Sequence, residues 1–193
     1  MKRTVMAVTK TNPGNFFEDF SPGQIIRHAT PRTVTRGDAA LYMGLFGPRF
    51  AVQSSAAFAR AIGYPDSPLD DMLVFHTVFG KTVPDVSLNA VANLGYASCR
   101  FLQPVFPGTT LSTVSEVIGV KQNSNGKTGT VYVRSTGYCE SGEKVLEYTR
   151  WVMVRKRDPD APVPEPLVPE LSDRVAPEEL ATAVPSIDVS KYD

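Results

Sequence analysis

Histidine and cysteine are scarce here, with two of each among 193 residues. A metal centre needs three or four clustered His, Cys or carboxylate ligands, and neither His28 and His76 nor Cys99 and Cys139 stand at ligand spacing. The cysteines fall on separate predicted strands and read as two buried reduced thiols or as one disulfide. Surplus charge is also missing: 20 basic residues balance 20 acidic ones. Without a basic field to neutralise phosphates, nucleic acid drops out as a partner. No apolar run approaches the roughly 18 residues of a membrane span. The segment from Met1 to Asn12 lacks the apolar core of a secretory signal, so the expected setting is cytoplasmic, away from membranes. No Gly-x-Ser-x-Gly elbow occurs, and Gly44 to Gly47 are too sparse to cradle a phosphate. Triad hydrolases, kinases and dinucleotide enzymes fall away with them.

Proline is plentiful and unevenly placed. Seven of the sixteen prolines follow Arg157, in Asp158-Pro159-Asp160-Ala161-Pro162-Val163-Pro164-Glu165-Pro166 and beyond. Such a stretch favours extended polyproline II geometry over helix or sheet. The expected organisation is a flexible N-terminus at 1–12, one folded domain over 13–157 and a disordered linker or C-terminal arm over 158–193. A short helix is expected near Pro177, where proline and two glutamates suit a first turn.

Inside the domain, helical signals come first. Thr35 with Asp38 three residues on forms a capping box ahead of Ala39, Leu41, Tyr42, Leu45 and Phe46. Ser54 or Ser55 starts a shorter helix that Gly63 stops. A third helix is expected with Ser67 as its cap, Pro68 as its first residue and Asp70 as the acid. The run from Met72 to Phe79 is apolar nearly all round, as in a buried helix. From there the grammar is β. Segments 89–101, 110–120, 127–139 and 145–155 are rich in Val, Tyr and Thr, and turn sequences at 123–127 and 140–143 join neighbours as antiparallel hairpins. Between the first two strands, Pro104, Pro107 and Gly108 form a corner: the prolines end the ladder and the glycine supplies a positive φ. One buried helix against a long antiparallel meander is an α+β arrangement.

The groups able to do acid/base work are few. His76 on the buried helix reads as a core or pocket-wall histidine, with general acid/base catalysis as its functional alternative. His28 reads as structural or exposed. Asp70 and Asp71 suit a helix N-terminus, and catalysis is again the alternative. The cluster Arg155-Lys156-Arg157 is either a solvated strand end or an anion contact.

Several segments carry a resemblance: Asn15-Phe16-Phe17-Glu18-Asp19-Phe20, Thr33-Val34-Thr35-Arg36-Gly37-Asp38, Phe58-Ala59-Arg60-Ala61, and Arg100-Phe101 followed by Pro104-Val105 and Pro107-Gly108. In this order they resemble the MaoC-like hydratases, which have the hot-dog fold. The stretches from Pro68 to His76, Phe79 to Asp85 and Ser87 to Tyr96 are similar to the amino-terminal half of the mesaconyl-CoA hydratase group. The resemblance covers roughly residues 12–158 and implies reversible hydration of a 2-enoyl-CoA thioester, with CoA as part of the substrate and no metal or redox cofactor. The family's usual signature is Gly-Asp-x-Asn-Pro-(Ile/Val)-His. The corresponding segment here is Gly47-Pro48-Arg49-Phe50-Ala51-Val52-Gln53. Pro48 therefore stands at the Asp position and Gln53 at the His position, and neither side chain can usefully accept a proton.

Two readings arise from the resemblance. In one, this hot dog shapes the acyl-CoA pocket of a short branched or dicarboxylic enoyl-CoA while a second hot dog supplies the missing histidine. In the other, Asp70, Asp71 or His76 carries the acid/base work. A third reading is a catalytically inactive acyl-CoA-binding or assembly module. The helix carrying Met72 and Phe75 is the expected pocket wall, its first-turn amides are candidates to polarise the thioester, and Arg49 or Lys81 is a candidate cation for a second carboxylate. A hot dog buries a sheet edge or face by pairing, so a homodimer or heterodimer is expected.

Overall fold

The computed structural model describes residues 12–172, 174, 176–181 and 190; the segment 1–11 of the expected flexible N-terminus lies outside them. Six strands form one sheet: β1 (Ile25–Arg27), β2 (Arg32–Thr33), β3 (Ala90–Phe101), β4 (Thr110–Gln122), β5 (Thr128–Tyr138) and β6 (Lys144–Arg155). The order is β1-β4-β5-β6-β3, with β2 also pairing β4. Every pairing is antiparallel. The four long strands fall within two residues of their expected bounds, because the β-branched runs and the Asn-Gly and Ser-Gly turns leave little choice of register. Gly108 has φ +103° at the corner. Its amide donates to Val34 O, and Val105 O accepts from Leu69, so the corner pins the chain just before the central helix.

The helices are α1 (Arg36–Phe46), α2 (Ala51–Ser54), α3 (Ala56–Ala61), α4 (Asp71–Thr82) and α5 (Pro177–Ala181). Thr35 and Asp38 form the expected capping box of α1, and Ser55 caps α3 by accepting from Phe58 N. The start of α4 differs from expectation. Leu69 N is committed to Val105 O at 2.7 Å, so 68–69 stay extended. Ser67 donates instead to Val52 O. Asp70 becomes the cap, its Oδ1 accepting from Met72 N at 2.8 Å.

Leu73, Val74, Thr77, Val78 and Thr82 recur at helical spacing and bury one face of α4 against Leu111, Leu146 and Tyr148 of the sheet. At Gly137 a Cβ would lie 2.6 Å from Val78 Cγ2, so that glycine lets the helix settle on the strand. The helix is not buried all round as its composition suggests: Met72 and His76 are exposed on the opposite face, since the sheet covers one side only. A second core gathers Phe17, Phe20 and Val86 over Val117, Val131, Val133 and Val152.

Residues 158–172, where the prolines suggested a linker or arm, are among those described. They run over the outer face of the sheet, where Leu167 pairs with Val120. Cys99 also departs from expectation. It is a free, exposed thiol on β3, the outermost strand, and Cys139 is a free, half-buried one.

Candidate functional site

A cleft of about 500 Å³ opens between α1, the Gly47–Gln53 segment and the N-terminus of α4. It is lined by Tyr42, Phe46, Arg49, Phe50, Gln53, Asp70, Asp71, Met72 and Phe101, with Gly47 at its edge. The chain builds it from three local decisions. Gly47, at φ +68°, ends α1. Pro48 and Arg49 then carry the backbone to the single turn of α2, which aims Gln53 inward. The Asp70 cap sets the first turn of α4 against it.

Of the residues singled out in the sequence, Arg49, Gln53, Asp70, Asp71 and Met72 converge in this cleft. Pro48 lies in its rim segment between Gly47 and Arg49. Phe75 does not line it; the ring packs beneath, with Phe79, Tyr96 and Tyr148 at centroid distances of 5.1–5.9 Å. His76 is exposed one turn beyond Met72, its ring 6.1 Å from that of Tyr42. Lys81 sits near the far end of α4, about 16 Å along the axis from Asp70, with Nζ 3.4 Å from Thr30 Oγ1.

Three features decide what the cleft can do. Gln53 is only 8 % exposed, yet its Oε1 has no hydrogen-bond partner among the described residues. A buried acceptor left unpaired costs about 1–3 kcal/mol. Asp71 has its carboxyl pushed above the usual carboxylate range, first by desolvation and second by the charge of Asp70. The first-turn amides of α4 are largely spoken for, Met72 N by the Asp70 carboxylate and Leu73 and Val74 N by Asp70 O. Among the described residues nothing accepts from Asp71 N–H, which is therefore the open donor at the positive end of the helix. Sequence reading missed Tyr42, Phe46, Phe50 and Phe101. The i, i+4 spacing of Tyr42 and Phe46 on a helix that buries no residue is the signal that marks them.

A second polar cluster lies under the other end of α4. His28, whose side chain is fully buried, has Nδ1 2.7 Å from Asp85 Oδ2 and Nε2 2.8 Å from Ser115 Oγ. The order of atoms is that of a catalytic triad, but Ser115 is 0 % exposed and its Oγ also meets Ser135 Oγ at 2.7 Å. No substrate reaches that hydroxyl, so the cluster is structural, and His28 is buried rather than exposed. Beside it Arg150, also 0 % exposed, donates to Thr82 Oγ1 at 2.8 Å and lies 4.5 Å above the Phe79 ring. Together these bonds hold the last turn of α4 to the sheet.

Two of the three residues of the basic cluster are committed internally, and Arg155 is exposed. Lys156 donates to Gln122, Pro159 and Ala161, and Arg157 pairs with Asp19 at 2.7 Å. Among the described residues no group of His, Cys, Asp and Glu could hold a metal ion, and no helix is long and apolar enough to cross a membrane.

Comparison with known proteins places this architecture. A β-methylmalyl-CoA dehydratase of Chloroflexus aurantiacus is 65 % identical over 166 residues, covering 86 % of this chain and 47 % of that protein. The solved structure of a MaoC domain protein dehydratase from Chloroflexus aurantiacus matches with a TM-score of 0.85 and 64 % identity, over 87 % of this chain and 48 % of that one. A Mycobacterium tuberculosis protein with a double hot-dog fold matches with a TM-score of 0.71 and 26 % identity, over 92 % of this chain and 55 % of its own. The fold is a hot dog, as the resemblance implied, and the chain spans about half the length of the curated relatives it matches. With the model for mesaconyl-CoA hydratase matching residues 2–186, this chain belongs to the mesaconyl-CoA hydratase family.

Proposed function

We propose that this chain is one hot-dog half of a hydro-lyase that reversibly adds water to a short branched or dicarboxylic 2-enoyl-CoA, of the mesaconyl-CoA or β-methylmalyl-CoA type. The observation that carries the reading is the buried, unpartnered Gln53 Oε1 in the cleft. An acceptor so placed is satisfied by an O–H or N–H donor from outside the chain, and an acyl-CoA supplies amide N–H groups on its pantetheine arm. Phe46, Phe50, Met72 and Phe101 give the acyl group apolar walls. Arg49 offers a cation to a second carboxylate, and Asp71 N–H a donor to the thioester oxygen.

Hydration requires a base to take a proton from water as the water oxygen bonds C3. The enolate oxygen must be held until C2 takes a proton. With Pro48 and Gln53 in the usual dyad positions, that base comes from a second hot dog docked on the open β3 edge. Phe101 of that strand lines the cleft, so the edge and the cleft are neighbours. One observation favours a second reading: the raised pKa of Asp71 brings it nearer the range of a general acid/base group.

Mesaconyl-CoA hydration, followed by loss of the 2-enoyl thioester absorbance, separates the readings. The expected result is no turnover by the chain alone and turnover when a second hot-dog polypeptide is added. Gln53→Leu then raises KM about tenfold, the worth of one lost hydrogen bond. Turnover by the chain alone, abolished in Asp71→Asn, would overturn the two-domain reading in favour of Asp71. A folded chain that binds the thioester without turnover in either setting is an inactive acyl-CoA-binding module.

A further inference from the structure

We infer that the proline-rich segment 158–172 is a preformed strap, which carries the polypeptide across the outer face of the sheet and delivers the downstream chain to the β3 edge. This rests on the reading that a second hot dog is the partner at that edge. It adds the route by which a covalently attached partner is aimed there.

The strap is fastened at its root and middle, and the chain beyond it is tied to β3. At the root, Lys156 is 9 % exposed and its Nζ donates to Pro159 O at 2.5 Å, Ala161 O at 3.1 Å and Gln122 Oε1 at 3.3 Å. The Glu18 carboxylate accepts from the amides of Arg157 and Asp158 at 2.9 and 3.0 Å. These bonds fix the angle at which the chain leaves β6. In the middle, Leu167 and Val120 exchange both backbone hydrogen bonds, at 2.8 and 2.9 Å. The sheet is built to receive them: a Cβ on Gly119 would lie 2.4 Å from Leu167 O and 2.7 Å from Pro169 Cδ. Beyond the strap, Glu179 pairs with Arg100 of β3.

The two later fastenings stand on different strands, β4 and β3, with β5 and β6 between them. Three interstrand spacings are about 14 Å, well within the reach of the chain between Leu167 and Glu179. Val168, Pro169, Leu171 and Ser172 accordingly face Tyr132 and Trp151 of β5 and β6 across a groove of about 640 Å³. Proline suits the task because it has no N–H left unpaired as the chain crosses strands rather than running with them. A stiff strap of fixed direction raises the effective concentration of an attached partner at one edge.

The test uses, as probe, the half of the Chloroflexus aurantiacus dehydratase that this chain does not match. It is supplied free or fused after residue 193, and wild type is compared with Gly119→Val. Gly119→Val should accelerate protease cleavage within 158–172 and leave the free half's Kd within twofold. In the fusion, the concentration of free half that displaces the tethered one should fall at least tenfold. Leu167→Pro, which removes one donor from an exposed position outside both cores, should give the same pattern if Gly119→Val misfolds. Equal displacement concentrations in wild type and variant would overturn the strap. A tenfold weaker Kd in trans would overturn it too, making 158–172 part of the interface itself, which the exposure of Leu167 and Val168 permits. No binding of the free half to wild type overturns the partner reading, and the strap with it.

Discussion

The imidazole of His28 is held between the Asp85 carboxylate at 2.7 Å and the Ser115 hydroxyl at 2.8 Å, out of reach of solvent. Burial lowers its pKa below 6.5, against the pull of Asp85 and with a small contribution from the Arg150 charge. The unfolded chain therefore takes up this proton at higher pH than the folded one. Stability is fully present above about pH 6.5 and is lost as pH falls through the unfolded value towards the lower folded one. The melting temperature should drop between about pH 7.5 and pH 5.5, above the range in which ordinary carboxylates titrate. His28→Gln should melt lower at the upper end of that interval but show little change across it. A wild-type melting temperature flat over the same interval would show that His28 is not held neutral.

Gly129 faces Phe17, where an added Cβ would lie 2.2 Å from the ring, and Phe17 is fully buried in the second core. Gly129→Ala should destabilise by about 2 kcal/mol through overpacking. That corresponds to a fall of about 6 °C in melting temperature for a chain of this length. Urea unfolding should show a lower midpoint at unchanged slope. Retention of wild-type stability would mean that the N-terminal turn moves aside without loss.

The β3 edge leaves Val91, Leu94 and Tyr96 at 43–49 % exposure beside a row of unpaired backbone groups, which invites strand pairing. The chain alone should self-associate at micromolar concentration in sedimentation equilibrium. Leu94→Lys should weaken that association at least tenfold, about 1.4 kcal/mol. A monomer at all concentrations would mean that this edge pairs only with a different polypeptide.

Local rules explain which elements were legible in the sequence and which were not. The Thr35–Asp38 box, the Ser55 cap, the Gly108 corner and the four long strands depend on residues within a few positions of one another. The start of α4 does not. Ser67, Pro68 and Asp70 read as a cap, a first helical residue and an acid, until the Val105 carbonyl, far along the chain, takes the Leu69 amide. The exposure of Cys99 likewise depends on which strand ends at the edge, and that of the Met72–His76 face on the sheet covering one side of α4 only.

The sequence by itself determined the α+β class, the meander and the family. Motif identity and β-branched periodicity are local and need no partner in space. Tertiary structure alone decided that Arg49, Gln53, Asp70, Asp71 and Met72 share one cleft while Lys81 and Phe75 stand outside it. It also decided that His28 is buried between Asp85 and Ser115, and that the proline-rich segment seats Leu167 and Pro169 on Gly119. Each depends on groups tens of residues apart meeting within bonding distance, and only the packing of α4 and the strap on the sheet brings them there.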